Sequence, residues 1–404
     1  MAEKLAIRGG TPVFGGRSVR EYFPQWPIAY PEIEEKLIEV YRSGKWGMNG
    51  PCELQLMEEF ARYQGTRHSI WMSNGTVTLE CALLALGIEP GDEVIVPGIT
   101  WLATAEAAIY LKAVPVIVDV DPVTMCMDPA AFEAAITPRT RAVIPVHVYS
   151  GLADMPEILA IARRHGLAVI EDCAHAQGAR QQGKGVGSFG AIGSFSFQLT
   201  KLMTAGEGGC CTTGDDGLAD RIFRLSHIGN SLVEPKVAPD PSLICRQYRF
   251  TEFQAAILLG QLAHQPELHA QRRAAFAFFR EALKGVPGIR LQESAYADDE
   301  PGHYYFTMLL DPERLHEGID RAAVREALRA EGFDYLSFGW GAPLYGNRLW
   351  NIPEKLYVKR ETPVSERLMY RQVMTCGHQF LLGSREGLEL AAAALRKVMT
   401  AYAD

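Results

Sequence analysis

No uncharged apolar run approaches the ~18 residues that a membrane-spanning helix needs, so nothing in the sequence calls for a bilayer. A basic excess is missing too: 40 Lys and Arg stand against 48 Asp and Glu, a formal charge of -8, which excludes a basic stripe for nucleic acid or an anionic membrane surface. The eight cysteines contain no CxxC pair and no ligand-like spacing with histidine. They are expected to be buried reduced thiols, with no metal site and no disulfide framework. The opening MAEKLAIRGGTPVFGG has no uninterrupted apolar segment, which leads us to expect a cytoplasmic protein. Low-complexity tracts and internal repeats are absent as well.

What is present is the composition of a globular chain, 48% hydrophobic and 22% charged over 404 residues. AVPVIVDVD (113–121), RAVIPVHVY (141–149) and LAVIEDCAH (167–175) are β-branched apolar runs separated by helix-like stretches such as MPEILAIARRHG. Alternating strand and helix with nearly continuous apolar strands predicts a parallel sheet covered on both faces. Ligands of such sheets bind at the carboxyl ends of the strands, where Trp101, His147, Asp172 and His175 fall. After about residue 262 the texture changes to charged helices and a strand, HYYFTMLL. The expected organisation is an extended arm (1–30), a large domain (31–262) and a smaller α+β domain (263–404).

Several short stretches could carry chemistry. SNGT (73–76) directly precedes a helix, so its backbone N–H groups and hydroxyls suit a phosphate, although the same residues are ordinary helix caps. Asp172 ends an apolar strand; it either pairs with a cationic ring nitrogen or caps the following turn. Trp101 could stack on a flat ring or pack a core. Lys201 lies among Phe197, Leu199, Leu202 and Met203, just before GEGG. Burial would lower its pKa and make it a nucleophile, whereas snorkelling would leave it an ordinary surface lysine. GVGSFG (185–190) matches GxGxxG formally, but its polar approach reads as a loop, not a dinucleotide site.

Together, SNGT, Trp101, EDCAHAQGA and SFSFQLTKLMTAGEGG resemble the DegT/DnrJ/EryC1/StrS family of sugar and cyclitol aminotransferases, and the likeness runs from WPIAYPEIEEKL to PVSERLMY. The resemblance implies a fold-type-I enzyme whose cofactor is pyridoxal 5'-phosphate. Lys201 would hold the cofactor aldehyde as a Schiff base and shuttle the proton, and Asp172 would pair with the pyridine nitrogen. His175 would sit near the ring oxygen, Trp101 over the ring, and Gly75, Thr76 and Ser196 at the phosphate. Gln247, before TEFQ, stands where the family places an asparagine that reaches the partner's phosphate in a homodimer. A lysine at 201 separates the chain from dehydratase relatives that carry histidine there. The implied reaction moves an amino group from L-glutamine or L-glutamate to a keto sugar or keto cyclitol in amino-sugar or antibiotic biosynthesis. Alternatives are a 3-amino-5-hydroxybenzoate synthase-like enzyme and an aminotransferase for nucleotide-linked keto sugars. Trp46, His147, Tyr149, Tyr345 and His378 are the expected donor- and acceptor-site residues.

Overall fold

The computed structural model describes residues 4–232 and 243–403. Helix α1 (Pro31–Ser43) begins on a proline, whose missing N–H is no loss at the first helical position, and ends at Gly44 in the left-handed region (φ 68°). α2 (Pro51–Gln64) follows, and then strand β1 (His68–Met72). Strand and helix alternate from there: α3 (Gly75–Ala85), β2 (Glu93–Pro97), α4 (Ala103–Tyr110), β3 (Val114–Val118), α5 (Pro129–Ala135), β4 (Thr140–Val143), α6 (Met155–His165) and β5 (Ala168–Asp172). A short hairpin, β6 (Arg180–Gln181) and β7 (Lys184–Gly185), leads to β8 (Ile192–Ser196), β9 (Gly209–Thr213) and α7 (Asp216–Ser226). The three apolar runs read as strands become β3, β4 and β5.

The main sheet has the order β1-β9-β8-β5-β4-β2-β3-β12, where β12 is Val358–Lys359. From β8 through to β12 every pair is parallel, and β9 runs antiparallel to both β1 and β8. Successive strand residues feed opposite cores, as the two-residue period demands. Val94 and Val96 pack with Leu83 and Ala105 of α3 and α4, while Ile95 packs with Phe132 and Ile158 of α5 and α6. Both faces are therefore covered, which is why these strands are apolar throughout.

Helix α8 (Glu252–Ala282) starts with a capping box, Thr251 with Gln254, and runs unbroken for 31 residues. The expected boundary at 262/263 falls inside it. Its first half packs Ala255 and Leu258 against Leu56 and Trp71, and its second half gives Ala275 and Phe279 to the core of the smaller unit. That unit holds the antiparallel sheet β10 (Ile289–Leu291), β11 (Tyr305–Leu310) and β13 (Val373–Gly377), with α9 (Arg321–Ala330) and α11 (Arg385–Tyr402), whereas the short α10 (Pro363–Arg367) is tied to the main sheet, its Val364 and Ser365 N–H groups donating to the Asp119 carboxylate after β3. The segment expected as an extended arm is instead folded onto this core: Leu5, Phe14 and Val19 are buried in it. After Gly185, which ends β7, the rest of GVGSFG is a loop, as expected. Its Gly187, Phe189 and Gly190 N–H groups each donate to the Glu171 carboxylate at 2.7 Å, so the amides are spent on the chain's own anion.

Candidate active site

A cavity of about 400 Å³ opens at the carboxyl ends of β2, β5 and β8. Gly75, Thr76, Trp101, Asp172, His175, Ser196 and Lys201 all line it. Seven residues marked in the sequence over a span of more than a hundred positions are thus brought to one place.

Lys201 sits in the turn after β8. Leu202 and Met203 are fully buried beside it, and the turn is fastened from α8, where Gln261 Oε1 accepts the Thr204 N–H (2.7 Å) and Gln265 Nε2 donates to the Leu202 carbonyl (2.8 Å). The apolar neighbours hold the loop, which leaves the amine on the cavity side. Burial lowers the Lys201 ammonium to about 8, against the opposing pull of Asp172. Its Nζ stands 4.8 Å from the centroid of the Tyr304 ring.

Asp172, 5% exposed, ends β5. One of its oxygens accepts the Thr104 hydroxyl (2.8 Å) and the other accepts the Ala174 N–H (3.1 Å). Burial raises its pKa, while those two donors and Lys201 work against the rise. A carboxylate this deep is favoured by a further cationic partner.

His175 is also buried, which pushes its pKa well below the usual value and keeps the ring neutral. The Tyr149 N–H donates to its Nδ1 at 3.3 Å. The proton must then be on Nε2, so the ring offers one donor of fixed position. Trp101 is 43% exposed at the cavity wall, 6.1 Å from Trp340 between ring centroids.

At the start of α3, Asn74 Oδ1 accepts the N–H groups of both Thr76 and Val77. Two of the amides expected to cradle a phosphate are therefore occupied, which leaves the Gly75 N–H, the hydroxyls of Thr76 and Ser196, and the positive helix end. Any side chain at Gly75 would place its Cβ 2.6 Å from Ser196 Cβ, so these two backbones meet only because position 75 is glycine.

These residues fit pyridoxal phosphate. An anion-favouring helix end, a buried carboxylate short of a cation and an amine with a lowered pKa are the three complements its phosphate, ring nitrogen and aldehyde require.

The remaining expectations fare differently. Gln247 is exposed and outside the cavity of its own chain. Trp46 is on the surface, stacked on Tyr41 with 5.5 Å between centroids. His147 does not face a ligand: its ring is closed between the Glu171 carboxylate (3.3 Å) and the Ala153 N–H (3.2 Å). Tyr149 is likewise buried, its hydroxyl accepting the Trp340 N–H, and Tyr345 is tied to Thr362 and Glu366. His378 is 2% exposed and lines a neighbouring cavity. Thr104, Tyr304, Tyr305 and Trp340 were not marked in the sequence. Only the TxxxT spacing of Thr100 and Thr104, one helical turn apart at the start of α4, could have pointed to the Asp172 support.

The sequence model of the DegT/DnrJ/EryC1/StrS aminotransferase family matches residues 27–382. An L-glutamine:2-deoxy-scyllo-inosose aminotransferase of Micromonospora echinospora is 38% identical, with 99% of each chain covered. A protein of the same name from Streptoalloteichus tenebrarius is also 38% identical, over 100% of this chain and 99% of its own. Among solved structures, 3-amino-5-hydroxybenzoic acid synthase superposes with a TM-score of 0.83 at 30% identity, covering 94% of this chain and 99% of that one.

Proposed function

Because the chain belongs to the DegT/DnrJ/EryC1/StrS aminotransferase family, we propose that it transfers the amino group of L-glutamine to the ketone of a keto cyclitol of the 2-deoxy-scyllo-inosose type. It is an aminotransferase, and its cofactor is pyridoxal phosphate. The observation that carries the proposal is the meeting of Lys201, Asp172 and the start of α3 in one buried cavity. The choice of donor and acceptor rests on full-length relatives whose names state them.

When bound, the cofactor supplies an electron sink for negative charge at the carbon that carries the migrating amine. Lys201 Nζ would hold the aldehyde carbon and, once released, would serve as the base and acid that moves the proton at the substrate carbon; an amine near pKa 8 is suited to both directions at neutral pH. Asp172 would keep the ring nitrogen charged, steadied by Thr104 and Ala174. His175 would offer its Nε2 proton to the ring oxygen, and Trp101 at the cavity wall would cover the ring and exclude water. Gly75, Thr76 and Ser196 would hold the phosphate. Gln247, exposed and away from its own cavity, is assigned to the partner's phosphate in a homodimer. Among the described residues no helix is long and apolar enough to cross a membrane, and we place the enzyme in the cytoplasm.

Purified protein supplied with pyridoxal phosphate, L-glutamine and 2-deoxy-scyllo-inosose tests the proposal by mass analysis of the product. An aminocyclitol is expected. A panel in which only a nucleotide-linked keto sugar gains the amine would replace the acceptor. The similarity to 3-amino-5-hydroxybenzoic acid synthase favours a second reading, formation of an aminohydroxybenzoate, and mass analysis for that product separates the two.

A further inference from the structure

We propose that Arg20 receives the α-carboxylate of the amino-acid donor in a second cavity beside the one that holds Lys201; the proposal rests on the aminotransferase reading above. This second cavity, about 370 Å³, shares Thr200, Tyr304 and Tyr305 with the first. An α-amino acid that presents its amine near Lys201 must bring a carboxylate with it, and a carboxylate leaving water needs a cation or several N–H donors. Among the described residues, the charged side chains lining the two cavities are Asp172, Lys201, Glu207 and Arg20. Asp172 and Lys201 are engaged with the cofactor, and Glu207 has the wrong sign. The buried Arg272 lines neither cavity; it donates to His378 Nδ1 at 3.2 Å from behind the wall. Arg20 is the cation that remains.

Its setting holds it in place without using up its donors. Ser18 and Glu21 form a capping box around the short turn Val19–Tyr22, Val19 is fully buried, and the Val19 N–H is bonded to the Gly332 carbonyl at 2.9 Å. The backbone on either side of Arg20 is therefore fixed. The guanidinium lies 4.6 Å from the centroid of the Tyr335 ring, and the Tyr335 hydroxyl in turn accepts from Gln379 Nε2. The Asp334 carboxylate is 3.9 Å away, at the outer limit of an ion pair, and it already accepts the Ser18 hydroxyl at 2.7 Å. One guanidinium N–H reaches the Asp334 backbone carbonyl, at 3.5 Å. The side chain is 56% exposed, so one face is stacked while most of the N–H edge stays available. A planar fork with a free edge is the arrangement that takes a carboxylate through two parallel bonds.

The test pairs two donors with three proteins, all loaded with cofactor. The donors are L-glutamine and L-glutaminamide, which differ in the carboxylate alone; the proteins are the wild type, Arg20→Gln and Arg20→Lys. The half-reaction is followed by the change in cofactor absorbance, and the preference is the ratio of kcat/KM for the two donors. The wild type is expected to prefer L-glutamine, Arg20→Gln to lose about tenfold of that preference through KM, and Arg20→Lys to lie between them. An unchanged ratio in Arg20→Gln overturns the assignment while leaving the aminotransferase reading intact. A wild-type enzyme that reacts with neither donor overturns both.

Discussion

Replacing Asp172 by asparagine separates the charge of that side chain from its shape. Both carboxylate oxygens accept a hydrogen bond, one from the Thr104 hydroxyl and one from the Ala174 N–H. An asparagine oxygen keeps one of them, and its NH₂ must then face the other donor. Thr104 can give way, because its hydroxyl also lies 2.6 Å from Thr100 Oγ1 and can turn to donate there. The structural cost should thus stay near the low end for a disturbed buried hydrogen bond, about 1 kcal/mol. The chemical cost is larger. Losing a preorganised charge aimed at the reacting group removes about 3–4 kcal/mol of transition-state stabilisation, or about 10²–10³ in rate. The assay is the single-turnover half-reaction with L-glutamine under stopped flow, with thermal melting to confirm the fold and absorbance to confirm cofactor loading. A loaded, folded Asp172→Asn enzyme that keeps a third or more of the wild-type rate refutes the role given to this carboxylate.

At the other end of the cavity, Gly75→Ala forces a Cβ to within 2.6 Å of Ser196 Cβ, so cofactor affinity should fall at least tenfold in an equilibrium titration while the far-ultraviolet circular dichroism stays that of the wild type; unchanged affinity contradicts the phosphate assignment. Lys201→Met should stabilise the cofactor-free protein at pH 7 and abolish turnover. Below about pH 8 the folded wild type buries a charge that the unfolded chain hydrates, a penalty of up to about 3 kcal/mol; between pH 8 and 10.5 the folded lysine has lost its proton and the penalty fades. Denaturant melts of the two proteins should accordingly converge as pH rises through that window, and curves that stay parallel speak against burial of the ammonium.

The sheet was legible because a doubly covered parallel sheet writes itself as Val/Ile runs, and β3, β4 and β5 are such runs. Helix α1 starts on Pro31 and stops at Gly44, residue types that favour those two positions. Less legible was the smaller unit. Leu5, Phe14 and Val19 show no period, since each comes from a different turn and reaches the core singly, and they therefore read as an arm. The change of texture near residue 262 reflects a change in what α8 packs against, and the helix itself continues.

In the site, residues at strand ends were found because position in an α/β sheet predicts them. Tyr304 and Trp340 come from the smaller unit, more than a hundred residues away in the chain, and no local pattern marks them. His147 shows the converse. It sits at the right height in the sheet, yet its ring points into the interior, held between the Glu171 carboxylate and the Ala153 N–H. Gly75 was marked as part of a phosphate site, but that its missing Cβ makes room for Ser196 only the packed structure reveals.

Covalent capture at position 201 tests the central claim most directly. The protein is loaded with pyridoxal phosphate, reduced with borohydride, digested and sequenced by mass spectrometry. The account predicts one pyridoxyl adduct, on the peptide carrying Lys201. An adduct on a different lysine, or none on a fully loaded protein, contradicts it.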